Sequence, residues 1–321
     1  MFKNNQSDIK DGHVSTVMGR MITRRCLLKF LAGLPFLAGL PLCLASVNAY
    51  EPADDLVASG VSIGRMFAGE ELHYNIAFGF LNKIAVVRMS FYPDVENGRY
   101  VSTVRGETVG LAGFLTRYRK DSYRSLMEEI DGGSRLRSIL FEEEVLTGQK
   151  LRKRTHAFDH RKRKWIERSV RTSGAVSETV HNVPEGKEYN DFLAASYNFR
   201  YGVYGVAEKG KTYRVPVFPK NDVETYDLRI VGQAEEDRLR RRGIVPDEGE
   251  YRIELAMDPE VLHSERGLVK GWLSKELYPV EGVMEDVFFF GDVRGTLAKR
   301  VRAPIRIREE RLSKSYFPGR W

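Results

Sequence analysis

Cysteine is almost missing from this chain of 321 residues, and Cys26 and Cys43 both lie within the first 49. The 272 residues that follow contain none. That part of the protein can therefore form no disulfide, no thiolate metal site and no cysteine nucleophile. A chain of that length needs no disulfide even outside the cytosol, because it can bury a sufficient core.

A strong excess of one charge is also missing after residue 49. The whole chain has 51 Lys and Arg against 44 Asp and Glu, a net charge of +7. Residues 1–49 hold six of the basic and two of the acidic residues, which leaves 45 against 42 and a net charge of +3. This balance disfavours general nucleic-acid binding, so we expect no nucleic-acid partner. The 42% hydrophobic content excludes a largely disordered chain.

The chain lacks a long uninterrupted hydrophobic run. The apolar stretch that follows Lys29 contains two prolines and two glycines before Leu44, and it is shorter than the ~20 residues of a membrane-spanning helix. Basic residues precede it, and residues 47–49 suit a cleavage site. We therefore predict that residues 1–49 are a signal peptide cleaved after Ala49, and that the protein is exported to the periplasm. Arg24-Arg25 resembles a twin-arginine signal, so export in the folded state stays open.

Motifs that would name a reaction are scarce. After residue 49 there is no Ser-x-x-Lys and no His-Glu-x-x-His. The glycine-containing segment 110–113 precedes Phe114-Leu115 and predicts an apolar lip or a short helix rather than a phosphate loop. We assign no catalytic residue, no metal ligand and no cofactor, and the sequence favours a protein without enzyme activity.

Alternation of apolar and polar residues recurs from residue 69 onward. In the first such segment Leu72, Tyr74 and Ile76 share one face with Phe78. Turn sequences such as Asn97-Gly98 separate the segments, and no helices alternate with them, which indicates antiparallel hairpins. The predicted strands are 72–78, 84–92, 100–109, 122–129, 135–143, 150–158, 212–218, 223–231, 251–257, 269–273, 283–290 and 300–308.

One helix interrupts this pattern, at residues 188–200, where Phe192, Leu193 and Phe199 fall at helical spacing. The predicted fold class is all-β: a large antiparallel, strongly curved sheet that closes into a barrel or half-barrel, with one short helix. The predicted domain organisation is a flexible N-terminal segment, a single β domain and a C-terminal tail, at residues 50–68, 69–308 and 309–321.

Several segments, in their order and spacing, resemble a family of exported bacterial proteins catalogued as domain of unknown function 3108. They are Gly69-Glu-Glu-Leu-His-Tyr-Asn-Ile76, Arg117-Tyr-Arg-Lys-Asp-Ser-Tyr123, Asp191-Phe-Leu-Ala-Ala-Ser-Tyr-Asn-Phe-Arg200 and Gly271-Trp-Leu-Ser274. The resemblance covers residues 69–298, and residues 235–250 depart from it like an insertion. It implies an all-β envelope protein and supplies no activity, cofactor or catalytic residue.

Basic residues crowd positions 152–164, next to Trp165. We interpret them as a candidate surface for an anionic partner or lipid, the alternative being a solvated hairpin that balances the glutamates at 142–144. The candidates are Arg152, Arg154, Arg161, Lys162, Arg163 and Lys164.

The predicted helix carries Asp191, Tyr197 and Arg200. Tyr197 and Arg200 are three residues apart and share a helix face, so we predict that these residues dock the helix onto the sheet. His156 and His160 have a spacing that would suit metal binding on a helix. They lie where a strand ends in a turn, so we predict turn chemistry instead.

Long strands, aromatic residues and the lack of a catalytic set favour an exported, non-enzymatic envelope protein. We expect it to bind a lipid-like or amphipathic ligand, or a protein partner, on the curved sheet. An envelope assembly scaffold that acts through a strand edge or the basic hairpin stays open, as does a carbohydrate-active enzyme with paired carboxylates. The candidate ligand-lining residues are Tyr74, Phe78, Phe114, Leu115 and Trp272.

Overall fold

The computed structural model describes residues 60–94, 97–220, 223–257, 266–287 and 291–302. These contain one sheet of fourteen strands. The strands are β1 Glu70–Phe78, β2 Leu81–Asp94, β3 Arg99–Thr108, β4 Lys120–Ile130, β5 Arg135–Thr147, β6 Lys150–Asp159, β7 Lys164–Val170, β8 Val176–Asn182, β9 Thr212–Lys220, β10 Val223–Ile230, β11 Tyr251–Ala256, β12 Leu268–Leu273, β13 Pro279–Val287 and β14 Gly291–Arg302.

The strands follow one another across the sheet in the order β8-β7-β6-β5-β4-β3-β2-β1-β14-β13-β12-β11-β10-β9. Every neighbouring pair is antiparallel. The prediction of an all-β protein built on one large antiparallel sheet is therefore confirmed.

The sheet is neither closed nor strongly curled, so the predicted barrel is not confirmed. Closure would require β8 to pair with β9, and these two strands are the edges of the sheet. The backbone N–H of Phe218 in β9 donates instead to the carbonyl of Asn190, 3.0 Å away, in the segment that follows β8. Pro216, also in β9, has no N–H to donate.

Four α-helices accompany the sheet in the described residues, α1 Ile63–Phe67, α2 Gly110–Leu115, α3 Phe192–Tyr201 and α4 Gln233–Arg241, together with a short 3-10 helix at Asp131–Gly133. Helix α1 lies in the described part of the segment predicted to be flexible, residues 50–68, and its Ile63, Met66 and Phe67 are buried in the core. Helix α3 occupies the predicted helical region but begins four residues later than predicted, since Asp191 caps its first turn. Helix α4 lies in the predicted insertion.

The two faces of the sheet differ. We call the face that contacts α3 the inner face and the opposite one the outer face. Leu72, Tyr74 and Ile76 of β1 point to the inner face and join the main core, together with Leu193 and Tyr197 of α3. The intervening residues of β1 point outward because successive side chains of a strand alternate. The inner face of β1 thus contributes to the apolar core, and the side chains of its outer face point away from that core.

Several predicted features fall outside the described residues: the signal peptide with its cleavage site, residues 50–59 of the flexible segment, the C-terminal tail, residues 288–290 of the strand predicted at 283–290, and residues 303–308 of the last predicted strand. Residues 300–302 of that predicted strand are described, and they form the end of β14, which begins nine residues earlier than predicted, at Gly291. None of the helices that the structure describes is long and apolar enough to span a bilayer.

Candidate functional site

A groove of about 840 Å³ lies along the outer face of β1, β2, β3, β4, β5 and β14. Its floor includes the backbone of Gly106. Its lining residues are His73, Tyr74, Asn75, Lys83, Val86, Val87, Arg88, Arg105, Gly106, Glu107, Lys120, Asp121, Ser122, Glu144, Ala298 and Lys299.

A row of four basic side chains crosses this groove, and we call it the cation row. His73 of β1 lies directly opposite Lys299 of β14 on one side and Arg88 of β2 on the other. Arg88 in turn lies opposite Arg105 of β3. Directly opposed residues point to the same face, so the like charges of Arg88 and Arg105 repel each other. Four adjacent strands therefore present a concentrated basic stripe.

Glu71 partly compensates the cation row. Its carboxylate accepts a hydrogen bond from Arg88, and one of its oxygens lies 3.5 Å from Nε2 of His73. Burial alone would raise the pKa of Glu71, but the hydrogen bond and charge of Arg88 outweigh burial and lower it. Arg88 nevertheless keeps a substantial exposed fraction, 42% of its side chain.

Basic residues outnumber acidic ones along the groove. The lining includes five Lys and Arg residues against Glu107, Glu144 and Asp121. Glu107 pairs with Lys120 at 3.4 Å. Asp121 points to the inner face, where Nε of Arg119 donates to it at 2.9 Å. The groove therefore offers a positive, partly enclosed surface, which suits an anion.

The pair of Asp121 and Arg119 begins a second charged region, on the inner face near the start of β4. Burial raises the pKa of Asp121 to about 6, although the neighbouring Arg119 opposes this. On the next strands Glu143 lies 3.6 Å from Arg152 and 3.9 Å from Arg154, and Arg154 lies 3.3 Å from Glu167. These charges largely neutralise one another.

The predicted anionic-partner surface is consequently divided. Arg152 and Arg154 belong to the neutralised inner-face network. The other four residues lie in and beside the β6–β7 turn at the opposite end of the strands, where the Arg163 guanidinium donates to the carbonyl of Pro184. Lys162 pairs with Asp159 at 3.6 Å. Arg161, Lys162, Arg163 and Lys164 are exposed and form a basic turn separate from Arg152 and Arg154.

The five predicted ligand-lining residues are not brought together. Tyr74 and Trp272 are buried in the core, and Trp272 lies beneath the guanidinium groups of α4 and β11. Phe78 is partly buried against the same core. Phe114 and Leu115 lie on α2, where Phe114 is exposed and Leu115 is half-buried. Of the five, Tyr74 alone borders the groove.

The three predicted helix-docking residues are all buried. Asp191 accepts hydrogen bonds from the N–H groups of Leu193 and Ala194, and from Oγ of Ser125 at 2.6 Å. Its carboxylate thus caps α3 and ties the helix to β4. Burial raises the pKa of Asp191 despite these hydrogen bonds.

Tyr197 and Arg200 contact the sheet from the other end of α3. The ring of Tyr197 packs at 4.5 Å from that of Phe91. Arg200 donates two hydrogen bonds to Glu70, at 2.6 and 2.8 Å. Burial by itself would raise the pKa of Glu70, but the charge of Arg200 outweighs it, and the pKa is lowered. This ion pair is structural, because it is sealed in the core.

His156 and His160 do not converge. The ring of His156 stacks on Phe218 with centroids 4.5 Å apart, and Nε2 of His160 lies 2.7 Å from the carbonyl of Ser138. Burial lowers the pKa of His156 to about 4. Within the described ranges, no group of three or more His, Cys, Asp or Glu residues could hold a metal ion.

Two features of the sequence escaped prediction. The cation row did so because its members are far apart in sequence and only the strand register brings them together. Gly60-Val-Ser-Ile-Gly64 matches the Gly-x-Ser-x-Gly pattern of serine hydrolases, whose serine sits on a strand-to-helix turn. Here Ser62 precedes the first strand as the N-cap of α1, and a Cβ at Gly64 would overlap the ring of Tyr100. Close packing therefore accounts for Gly64.

Comparison with known proteins shows that the part of the chain that forms the groove matches a known sequence family. The family model described as "Protein of unknown function (DUF3108)" matches residues 73–312, a range that contains the whole cation row. The match confirms the resemblance noted from the sequence. No curated protein and no solved structure matched the chain.

Proposed function

This chain belongs to the DUF3108 family of proteins of unknown function, and we propose that it is a non-enzymatic envelope protein that binds an anionic, amphipathic ligand in its outer groove. The observation that carries the proposal is the cation row, Lys299, His73, Arg88 and Arg105, side by side on adjacent strands. Arg88 and Arg105 lie directly opposite each other and repel, and Glu71 compensates the row only in part. A bound phosphate or carboxylate would relieve the repulsion and accept charge-assisted hydrogen bonds.

The dimensions of the groove fit a headgroup rather than a whole lipid. Ligand pockets occupy roughly 300–1,000 Å³, and the 840 Å³ groove lies within that range. Lys83 and Lys120 line the groove near the strand ends that carry the β1–β2 turn and α2. If the anionic group of an amphipathic ligand lay on the cation row, the apolar part of that ligand would point toward the exposed side chains of the β1–β2 turn and α2.

The test is calorimetric titration with two probes: inorganic phosphate and a short-chain phosphatidylglycerol kept below its micelle concentration. We expect the double variant Arg88→Gln/Arg105→Gln to lose at least about tenfold in affinity, because each charged hydrogen bond is worth about 1.5–3 kcal/mol. Binding of both probes would identify the phosphate group as the recognised feature, and stronger binding of the lipid would add the apolar part.

The matched control is Arg161→Gln/Lys164→Gln, which removes two charges from the basic turn at the other end of the strands. This control should bind both probes like the unaltered protein. If the control loses binding and the groove variant keeps it, the groove proposal is wrong and the basic turn is the site. Failure of the unaltered protein to bind either probe would also contradict the proposal.

Export to the periplasm is part of the same proposal. The basic segment, the interrupted apolar run and the small residues before Tyr50 support it. N-terminal sequencing of the protein recovered from cells that express the full chain should begin at Tyr50. A chain that retains residues 1–49 would contradict cleavage.

We also propose that the sheet curves toward a half-barrel. The contact of Phe218, on the edge strand β9, with Phe141 and His156 on strands nearer the other edge supports this.

A second candidate function is an assembly scaffold, and the edge strand β8 favours it. Six of its seven residues, Val176 and Val180 among them, are exposed, and the strand contains neither proline nor lysine to discourage pairing. A partner could add a strand there. Val180→Lys should abolish capture of an envelope protein partner, whereas Val206→Lys, at an exposed position away from the edge, should not. Unchanged capture by Val180→Lys would contradict the scaffold.

A further inference from the structure

Exposed hydrophobic side chains gather at one end of the sheet. In an antiparallel meander, alternate strands run in the same direction, so β1, β3, β5 and β7 finish at a common end, which we call the upper end. Phe80 lies in the β1–β2 turn and is 90% exposed. Leu111 and Phe114 on α2 are 65% and 60% exposed, and Tyr118 follows them at 58%.

The opposite end is less apolar in the part of the chain that the structure describes. Its exposed large hydrophobic residues are Val206, before β9, Ile244, after α4, and Val180, in the half of β8 nearer that end. Leu151 and Val176, at the starts of β6 and β8, add to the upper end. A concentration of this kind marks an interaction surface, whereas single exposed apolar residues need no explanation.

The connection between α2 and β4 holds these side chains in a defined arrangement. Arg117 and Tyr118 are consecutive non-glycine residues with φ of 59° and 51°. This left-handed backbone is unfavourable for both residues, so the surroundings must stabilise it. The N–H of Tyr118 donates to the carbonyl of Gly113 at 2.6 Å, and the N–H of Gly148 donates to the carbonyl of Arg117 at 3.2 Å. Backbone hydrogen bonds therefore fix the segment that carries the exposed apolar side chains of α2 and Tyr118.

Basic residues surround this apolar surface. Lys83, Arg117, Lys150 and Arg171 are exposed at the upper end. Among the residues that the structure describes, none of these four forms an ion pair. Of the acids at this end, Glu107 is already paired with Lys120, and Asp292 at the start of β14 is exposed. Aromatic and leucine side chains with a basic surround are the composition of surfaces that insert shallowly into membranes with anionic lipids.

We propose that the upper end docks on the surface of an anionic phospholipid bilayer, with Phe80, Leu111 and Phe114 inserted among the headgroups and the surrounding cations against the lipid charges. This goes beyond ligand binding in the groove, because docking requires neither the cation row nor an occupied groove. It would also bring the upper end of the groove close to the bilayer.

The test uses protein recovered from cells that express the full chain, in co-sedimentation with vesicles of phosphatidylglycerol and phosphatidylcholine. Phe80→Ser/Leu111→Ser/Phe114→Ser should lower the bound fraction at least about tenfold, since each apolar side chain withdrawn from water contributes a large share of the affinity. The matched control, Val206→Ser/Ile244→Ser, removes exposed apolar side chains from the opposite end and should bind like the unaltered protein. Vesicles of phosphatidylcholine alone should bind more weakly than the anionic ones.

Two local probes locate the contact even if another segment contributes to sedimentation. Trp fluorescence of Phe114→Trp should shift to shorter wavelength when anionic vesicles are added, and that of Val206→Trp should not. Equal behaviour of the two probes would overturn the proposal, as would undiminished vesicle binding by the triple serine variant. We expect Arg88→Gln/Arg105→Gln to keep vesicle binding, because docking does not require the cation row. This result would separate membrane docking from ligand binding in the groove.

Discussion

Glu70 and Glu71 are neighbours in the sequence, yet they face opposite sides of the sheet and have different roles. Glu70 is buried on the inner face and accepts two hydrogen bonds from Arg200, a residue 130 positions away. Glu71 lies beside the outer groove and pairs with Arg88 of the adjacent strand. The comparison shows how one step along a strand separates charges that hold the fold together from charges that remain accessible to a ligand.

The largest effect expected is that of removing the inner cation. Arg200→Met leaves Glu70 buried without a partner hydrogen bond from α3, which should lower the free energy of unfolding by about 3–5 kcal/mol. Arg88→Met, which breaks the outer pair, should cost less than about 1 kcal/mol. Chemical denaturation of both variants checks the contrast. Similar losses in the two variants would mean that the inner and outer pairs do not differ as the structure indicates.

The next effect concerns the carboxylate that begins α3. Asp191→Ala removes the helix cap and the hydrogen bond from Ser125, and should cost about 2–3 kcal/mol. Asp191→Asn keeps an acceptor for the capping N–H groups and should cost less. Denaturation midpoints of the two variants measure the difference, and an Asn variant no better than the Ala variant would contradict a capping role.

A third effect depends on pH and concerns the inner face alone. His156 has a pKa lowered to about 4 by burial, so the folded protein resists protonation that the unfolded chain accepts near pH 6.5. Its contribution to stability is complete above that pH and decreases as pH falls toward 4. We expect a loss of about 2 kcal/mol between pH 7.5 and pH 5.

His156→Phe, which preserves the stack on Phe218, should remove that part of the acid sensitivity. Urea denaturation at a series of pH values measures it. An unchanged slope in the Phe variant would assign the acid sensitivity to other groups.

The inner face was largely predictable from the sequence, because burial imposes a pattern on it. Alternating apolar residues identified β1, and the positions of Leu193 and Phe199 identified the region of α3. Strands β7 and β8 were missed because they lack this pattern. β8 reads Val-Ser-Glu-Thr-Val-His-Asn and is almost entirely exposed, so only hydrogen bonds to β7 make it a strand.

The groove could not be predicted in the same way. Each member of the cation row occupies an ordinary polar position on its own strand, and His73 and Lys299 are 226 positions apart. Their adjacency depends on the register between β1 and β14, which shifts between His73 and Tyr74. A shift of one position reverses which side chains share a face. The pairing of β1 with β14, the first and last described strands along the chain, was not predicted either.

The smallest expected effect is the sharpest test of the comparison. Removing a cation from the inner face should lower stability, whereas removing one from the outer face should leave stability unchanged or raise it. Lys299→Gln removes one charge from the cation row and should leave stability unchanged or raise it by up to about 0.5 kcal/mol at low salt, since it reduces the repulsion from the two arginines of the row. High ionic strength should abolish the gain because salt screens exposed charges. Urea denaturation at two salt concentrations measures both. A loss above about 1 kcal/mol would mean that Lys299 supports the fold as Arg200 does, and the row would then be structural.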